Sequence, residues 1–371
     1  MAESVAILGA GNGGCAAAAD LTLRGFSVRL YNRSPERLAP IHERGGIETR
    51  GVLGEHFVEL EQITTDLAEA VDGASEVVLT VPISGLRFYA EHLPPLLQAD
   101  QAVLLNPGHM GGGLFFSSEA RRRGFSAPNL CETATLTYAC RMEGPATVGV
   151  YTASTNLPLA ALPARRTDEL HARMVRLFPN LVKARNVLET GLQDLNAVEH
   201  PAQTVCNAGW LEHTKGDYYF YYEGTTPAVS RVIEAVDRER LALAAALGVE
   251  TRTFIESFHS MGYTSDRALA TGSVYDAMQD SLPNRTIKGP KSLDHRYLHE
   301  DVGWGLVPWI NLAEVVDVPV PTMRALAVLA SELNGIDYLT EGLTLERMGL
   351  SGLDPEGLLA HVSEDAQATA A

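Results

Sequence analysis

Ser4-Val5-Ala6-Ile7-Leu8-Gly9-Ala10-Gly11-Asn12-Gly13-Gly14 is the stretch that decides the fold. A short apolar run with β-branched members breaks at a cluster of glycines. Cys15 to Leu23, with four consecutive alanines, then reads as a helix that Arg24-Gly25 ends, and Phe26-Ser27-Val28-Arg29-Leu30-Tyr31 reads as a second strand. Strand, glycine turn, helix, strand is the context that a dinucleotide fingerprint requires. Gly9 allows the tight turn, Gly11 lets backbone approach a pyrophosphate, and Gly14 lets the helix pack closely on the strand. With Asn12 and Gly13 they form the expected cofactor loop, whose helix start offers free N–H groups and partial positive charge to phosphates. A purely structural glycine turn is the competing reading; the βαβ rhythm that follows favours the nucleotide.

The end of the second strand bears on which nucleotide. NAD sites usually carry Asp or Glu there, bonded to the ribose 2′-hydroxyl. This chain has Asn32, then Arg33, Ser34 and, one helical turn on, Arg37. A carboxylate repels a 2′-phosphate, whereas an amide, a hydroxyl and a guanidinium accept it, the last by charge-assisted hydrogen bonds. NADP(H) is therefore expected over NAD(H). The alternative is that Arg33 and Arg37 are solvated surface charges.

The remaining pattern gives the architecture. Glu76 to Val81 is a buried strand stopping at Pro82, and Ala102 to Leu105 is another, ending in Asn106-Pro107-Gly108. Such strands fit a parallel sheet whose C-terminal ends face the ligand crevice, which makes Pro82, Pro107 and Gly108 cofactor-site candidates. Strands and helices alternate to about residue 185, as in a doubly wound, mostly parallel α/β Rossmann domain. Beyond that helical patterns dominate, so residues 186–362 are expected to form an all-α domain and 363–371 a frayed tail. The clearest helix runs from Pro227 to Leu247, with Thr226 as N-cap and Gly248 as stop. Val229, Val232, Ile233, Val236, Leu243 and Leu247 form its apolar face.

Composition narrows the function classes. The 371 residues are 46% hydrophobic and 20% charged, with a net charge of −17. That acidity argues against nucleic acid and anionic membranes as partners. No apolar run approaches the ~18 residues of a membrane span. The start directly on a core strand leads to the expectation of no signal peptide. Cys15, Cys131, Cys140 and Cys206 make no CxxC and no zinc spacing, so reduced thiols in a cytoplasmic, metal-free protein are expected.

Two stretches of the second domain carry chemistry. In Leu195-Asn196-Ala197-Val198-Glu199-His200-Pro201, the proline disfavours helix at the residue before it, which predicts His200 at a helix end or kink, projecting into a cleft. Histidine exchanges protons near neutral pH, although a lone one is more often a packed or surface residue. The stretch Lys288 to Pro308 is dense in charge and glycine. There Arg296 is able to clamp a carboxylate bidentately and Asp301 to orient a histidine. A solvated loop with local ion pairs is the alternative.

Taken together, the sequence resembles the octopine/nopaline (opine) dehydrogenase family, including its bacterial N-(1-carboxyethyl)-norvaline dehydrogenase type. The resemblance rests on the N-terminal GAGNGG, Asn106-Pro107-Gly108, the Leu195–Pro201 stretch and Asn207-Ala208-Gly209. It continues with Phe220-Tyr221-Tyr222-Glu223-Gly224-Thr225-Thr226-Pro227, Asp237-Arg238-Glu239-Arg240, Gly289-Pro290, Arg296-Tyr297 with Glu300-Asp301, and Gly305-Leu306-Val307-Pro308. It implies that His200 and Asp301 are a proton-relay pair, that Arg296 binds the keto-acid carboxylate, and that Asn196 belongs to the substrate site. It also implies an NAD(P)-dependent oxidoreductase acting on CH–NH donors, here by NADPH-dependent reductive condensation of a 2-oxo acid with an amino acid or amine through an imine. A homodimer is the assembly expected of a bacterial-type member. Two rivals are a carbonyl reductase of ketopantoate or glycerol-phosphate dehydrogenase type, which needs no amine, and a non-catalytic NADPH-binding module.

Overall fold

The computed structural model describes residues 3–364. Its contacts divide the chain into one unit running to Thr190, joined by the chain from His361 onward, and a second unit spanning Gly191–Ala360. The division falls five residues later than the predicted 185/186. The reason is local: the short helix Val187–Gly191 is tied to the first unit by Thr190, whose hydroxyl donates to Glu132 Oε1 at 2.7 Å. Of the tail predicted at 363–371, Ser363 closes the helix Pro355–Ser363, and residues 365–371 lie outside the described residues.

Among the described residues the first unit has twelve strands: β1 (Ser4–Leu8), β2 (Ser27–Tyr31), β3 (Gly46–Gly51), β4 (His56–Glu59), β5 (Gln62–Thr64), β6 (Glu76–Leu79), β7 (Ala102–Leu105), β8 (Asn129–Thr133), β9 (Tyr138–Gly144), β10 (Thr147–Ala153), β11 (Leu157–Leu162) and β12 (Leu181–Lys183). Eight make one sheet in the order β12-β11-β8-β7-β6-β1-β2-β5. Every neighbouring pair in it is parallel except β11 with β8. This is the expected mostly parallel Rossmann sheet. The chain order switches direction between β1 and β6, the crevice position where α/β sheets take ligands.

A second sheet, β4-β3-β10-β9, was not anticipated. It explains the four alanines. Helix α1 (Asn12–Leu23) packs on β1 and β2 on one side and on β3, β4, β9 and β10 on the other, and Ala16 to Ala19 are all fully buried. A helix sandwiched between two sheets needs small side chains on both faces, because interiors are close-packed and a larger residue has nowhere to go.

The second unit is helical, as expected. Its elements are α2 (Leu195–Cys206), α3 (Ala208–Thr214), α4 (Pro227–Ala246), α5 (Phe254–Ser260), α6 (Asp266–Thr271), α7 (Val274–Asp280), α8 (Arg296–His299), a π-helical turn over Asp301–Leu306, α9 (Val307–Val315) and α10 (Pro321–Asn334), followed by shorter turns. Thr226 caps α4 as predicted, its Oγ1 accepting from Val229 N, and the predicted apolar face is buried except at Val232, which is half-buried. The centre of this unit is Arg240 on α4. It is fully buried, and its guanidinium donates to Asp237 Oδ1, Leu192 O, Thr251 Oγ1 and Arg252 O. An unpaired guanidinium there would be prohibitively costly, so these partners fix the segments before α2 and after α4 to one another.

Candidate active site

In the first unit the glycine turn has the build of a phosphate cradle. Gly9 adopts φ 116°, and a Cβ there would meet Thr80 O at 2.7 Å. A Cβ on Gly14 would lie 1.6 Å from Gly9 O, whereas one on Gly11 meets nothing within 4 Å. Gly14 is thus closed off by packing and Gly11 faces open space. Gly13 is sealed by Leu136, 2.7 Å from its would-be Cβ. Gly11 is the N-cap of α1 and no side chain caps that helix, so its first-turn N–H groups are left for an anion such as a pyrophosphate. The donor set therefore fits a dinucleotide.

Two asparagines expected at the cofactor serve the loop itself. Asn12 Oδ1 accepts from Met142 N at 3.0 Å, tying α1 to β9. Asn32 Oδ1 accepts from Ala10 N at 3.0 Å and its Nδ2 donates to Ser34 O at 3.1 Å, tying the glycine turn to the end of β2. Arg33 is exposed with its guanidinium over the Phe88 ring, 5.1 Å from the centroid. Ser34 is the N-cap of the helix Pro35–Arg44 with its hydroxyl unused as a cap, and Arg37 is exposed in the first turn. Pro82 begins the helix Ile83–His92. Pro107 follows a cis bond from Asn106. A Cβ on Gly108 would collide with the Glu132 carboxyl at 2.5 Å.

Glu132 was missed from the sequence. It is fully buried on β8, accepting from Gly113 N at 2.9 Å and from Thr190 Oγ1. Burial pushes its carboxyl up to about 7, against the pull of those two hydrogen bonds and of nearby His109.

In the second unit the structure gathers the residues singled out by chemistry. His200 is buried inside α2; of the helix end or kink expected for it, the end is not found, since α2 continues through Pro201 to Cys206. A proline withholds one N–H and crowds the preceding turn; here packing of α2 against α4, α8, α10 and the π-helical turn outweighs that local cost. His200 Nδ1 lies 2.7 Å from Asp301 Oδ2 and its Nε2 lies 2.8 Å from the Tyr221 hydroxyl. With the carboxylate accepting from Nδ1–H, Nε2 is left facing the phenol. Tyr297 stacks on the imidazole with ring centroids 3.9 Å apart. Tyr221 and Tyr297 are hydrogen-bonded to each other, and burial holds the Tyr221 phenol well above its usual range.

The approach of Asp301 to His200 depends on a glycine. A Cβ on Gly305, in the π-helical turn, would sit 2.6 Å from Ala197 Cβ, so this turn closes on α2 only without one. Arg296, on α8, pairs with Glu300 at 3.0 Å and has about half its side chain exposed (51%). It also feels the charges of Asp301 and Asp194. Asn196 is half-buried in the first turn of α2, its N–H donating to the Asp194 N-cap at 3.1 Å, four residues before His200 and so on the same helix face. Glu199, Tyr221 and Tyr297 were not predicted as site residues. Tyr221 and Tyr297 lay within the motifs quoted above, but their meeting at His200 is tertiary. No group of three His, Cys, Asp or Glu side chains among the described residues is placed to hold a metal. Among them, too, no helix is long and apolar enough to cross a membrane.

A dinucleotide cradle in one unit and a buried His–Asp pair beside an arginine in the other are the equipment of an NAD(P)-dependent oxidoreductase. Comparison with known proteins narrows the class. Residues 183–334 match the family described as NAD/NADP octopine/nopaline dehydrogenase, alpha-helical domain, and residues 4–111 match the NAD-dependent glycerol-3-phosphate dehydrogenase N-terminus. The chain is 35% identical to an opine dehydrogenase of Arthrobacter sp. (strain 1C) over 97% of its own length and 99% of the relative's. Its fold superposes on an octopine dehydrogenase solved with NADH and agmatine at a TM-score of 0.79, with 18% identity and 98% of each chain covered. A yersinopine dehydrogenase solved with NADP+ gives 0.72, with 18% identity and the same coverage. This chain belongs to the opine dehydrogenase family, and it is an NAD(P)-dependent oxidoreductase acting on the CH–NH group of donors.

Proposed function

We propose that the enzyme prefers NADPH and joins the carbonyl carbon of a 2-oxo acid to the nitrogen of an amino acid or amine, giving a secondary amine through an imine. The observation that carries this reading is the buried His200–Asp301 pair with Arg296 beside it. The cofactor, held at Gly9 to Gly14, supplies hydride when bound. Arg296 binds the oxo-acid carboxylate; its present partner Glu300 is an exchangeable one, since the arginine is half exposed. Asn196 hydrogen-bonds substrate on the same face of α2 as His200. Asp301 fixes the imidazole through Nδ1, which leaves Nε2 as the proton-delivering atom, and the Tyr221 hydroxyl lies on that path. The proton goes to the carbinolamine oxygen, which departs as water.

The preference for NADPH is supported by the lack of a carboxylate at Asn32-Arg33-Ser34 and by Arg33, Ser34 and Arg37 clustered at one helix start. The reading also keeps the expectation of a cytoplasmic homodimer. The free state of all four cysteines supports a reducing compartment, and sedimentation measures the assembly.

The test is cofactor oxidation with a panel of 2-oxo acids, with and without amino acids and simple amines, using NADPH and NADH in parallel. Oxidation that needs both partners and favours NADPH is expected. Equal oxidation without an amine would point to the carbonyl-reductase reading.

A further inference from the structure

Glu199 sits immediately before His200 and has no part in the chemistry so far. Its carboxyl is buried, 5% exposed, with Oε1 3.7 Å from His200 Nε2. Its other oxygen, Oε2, is shielded from solvent and has no hydrogen-bond partner. No Lys or Arg among the described residues pairs with it. A buried carboxyl with an orphan oxygen is costly, several-fold more so if charged, and native structures keep such groups where a ligand completes them.

The groups around Glu199 indicate what completes it. Facing it are Asp194 at the N-cap of α2, Asp301 from the π-helical turn, His200 on its own helix, and the phenols of Tyr221 and Tyr297. Arg296 from α8 lies within reach of Asp194 and Asp301, pairs with Glu300, and in the reading above is taken up by the oxo-acid carboxylate. Both nitrogens of His200 are engaged, by Asp301 and by Tyr221. The cluster thus has carboxyl groups to spare, one open acceptor, and no free base at the imidazole. A ligand that donates hydrogen bonds and carries positive charge matches it.

We propose that Glu199 is a further catalytic residue, which binds the ammonium group of the amine substrate and removes its proton. The proposal rests on the condensation reading above. An amine reaches the site mostly as R–NH3+, which has no lone pair for attack. Glu199 carboxylate takes one proton to give R–NH2 and the carboxylic acid. The nitrogen lone pair forms the C–N bond to the oxo carbon as the C=O π bond opens. A proton passes from the new ammonium nitrogen to the alkoxide oxygen, His200 protonates the hydroxyl so formed, the C–O bond breaks and water leaves, giving the protonated imine. After hydride arrives at carbon from the reduced cofactor, the new secondary amine recovers its proton from Glu199. His200 is reprotonated from solvent, so the cycle consumes one proton, one hydride and no other reagent. Burial, with Asp301 and Asp194 adding to it against the pull of His200, brings the Glu199 carboxyl up to about 7, where it is able both to take and to return a proton at neutral pH.

The experiment compares wild type with E199Q on one oxo acid and amino acid, from pH 7 to 10, with NADPH binding and thermal stability as controls. A general base of this kind is worth ~10²–10⁴ in rate. E199Q is expected to lose at least ~10²-fold in kcat/KM for the amine at pH 7, with the deficit shrinking as pH rises and solution supplies free amine. The KM for the oxo acid should hold. A deficit that stays constant with pH would overturn the proposal, as a structural defect has no reason to follow amine ionisation; so would full activity at pH 7. E199D, which keeps a carboxylate, provides a second variant should E199Q not fold, and must retain more amine activity than E199A at pH 7. A wild type that needs no amine would sink the condensation reading itself, whereas an amine-dependent wild type with an unimpaired E199Q would sink only the role given to Glu199.

Discussion

Asp301 Oδ2 and His200 Nδ1 lie 2.7 Å apart in the fold and 101 residues apart in the chain. Asp301 enters from a π-helical turn and His200 from the middle of a proline-containing helix. Asp301→Asn should therefore leave α2 in place while allowing the ring to adopt the wrong tautomer. We expect kcat to fall ~10²–10⁴-fold with NADPH affinity nearly unchanged, and His200→Ala to fall at least as far. Steady-state rates alongside cofactor titration check both. Near-normal turnover in His200→Ala would remove the imidazole from the reaction.

Arg296→Ala should act mainly on the KM for the oxo acid. A charge-assisted hydrogen bond contributes ~1.5–3 kcal/mol, which is roughly a 10- to 100-fold rise. Arg296→Lys should restore only part of it, since an ammonium lacks the two-pronged geometry. Initial rates at varied oxo acid decide, and an unchanged KM would place the carboxylate elsewhere.

Asn32 provides a test of cofactor choice that keeps one of its two bonds to the loop. Its Oδ1 accepts from Ala10 N, a bond that the carboxylate introduced by Asn32→Asp can also accept. What changes is charge beside Arg33, together with the loss of the Nδ2 bond to Ser34 O. The double variant Asn32→Asp, Arg33→Ala should cut kcat/KM for NADPH by ~10-fold or more and raise the relative use of NADH. An unaltered NADPH/NADH ratio would refute the role given to this corner.

The two buried carboxyls make stability fall with rising pH. Glu132 and Glu199 are both held near 7 by burial, against an ordinary value of 4.5. The folded state thus keeps protons that the unfolded chain releases, so the stabilisation is complete below about 4.5 and is lost as pH climbs through about 7. Each tenfold change in proton affinity is worth ~1.4 kcal/mol. Glu132→Gln should flatten the fall of Tm between pH 5 and 7, roughly, without affecting amine dependence, as thermal melts across that window will show. An unchanged slope would mean that Glu132 titrates normally.

How much of this was legible in the chain depends on distance. The glycine turn, the first two strands and α4 with its Thr226 cap are local patterns, and all three stand where the residues put them. The helix Thr167–Leu177 was legible but passed over: Leu170, Met174 and Leu177 are buried at helical spacing behind an acidic first turn. Strands β9 and β11 gave weaker signals. In β9 Arg141 and Glu143 interrupt the apolar run, and β11 is a short stretch containing a proline. The second sheet escaped because β3 and β10 pair across about a hundred residues. The same holds for the site. His200, Asp301 and Arg296 drew attention through their chemistry and acquired roles through family resemblance, whereas Glu199, Tyr221 and Tyr297 acquire meaning only when burial and neighbours are known. Position 200 lies inside a helix and not at its end because the rule about prolines is local and the packing that overrides it is not.

The π-helical turn has one further consequence. A wide turn holds one residue more than the α-helical register would, and such bulges are tolerated in proteins chiefly where they serve function. Removing Trp304, the residue between Gly303 and Gly305, would let the segment tighten into an ordinary helix running on into α9, and the wide turn that carries Asp301 toward α2 would be lost. Asp301 would then turn away from the imidazole while the hydrophobic faces of the neighbouring helices lost little. The proposed proton-relay pair is therefore vulnerable to one codon's deletion between two glycines, a lesion expected to leave a well-folded protein that still binds its dinucleotide and turns nothing over.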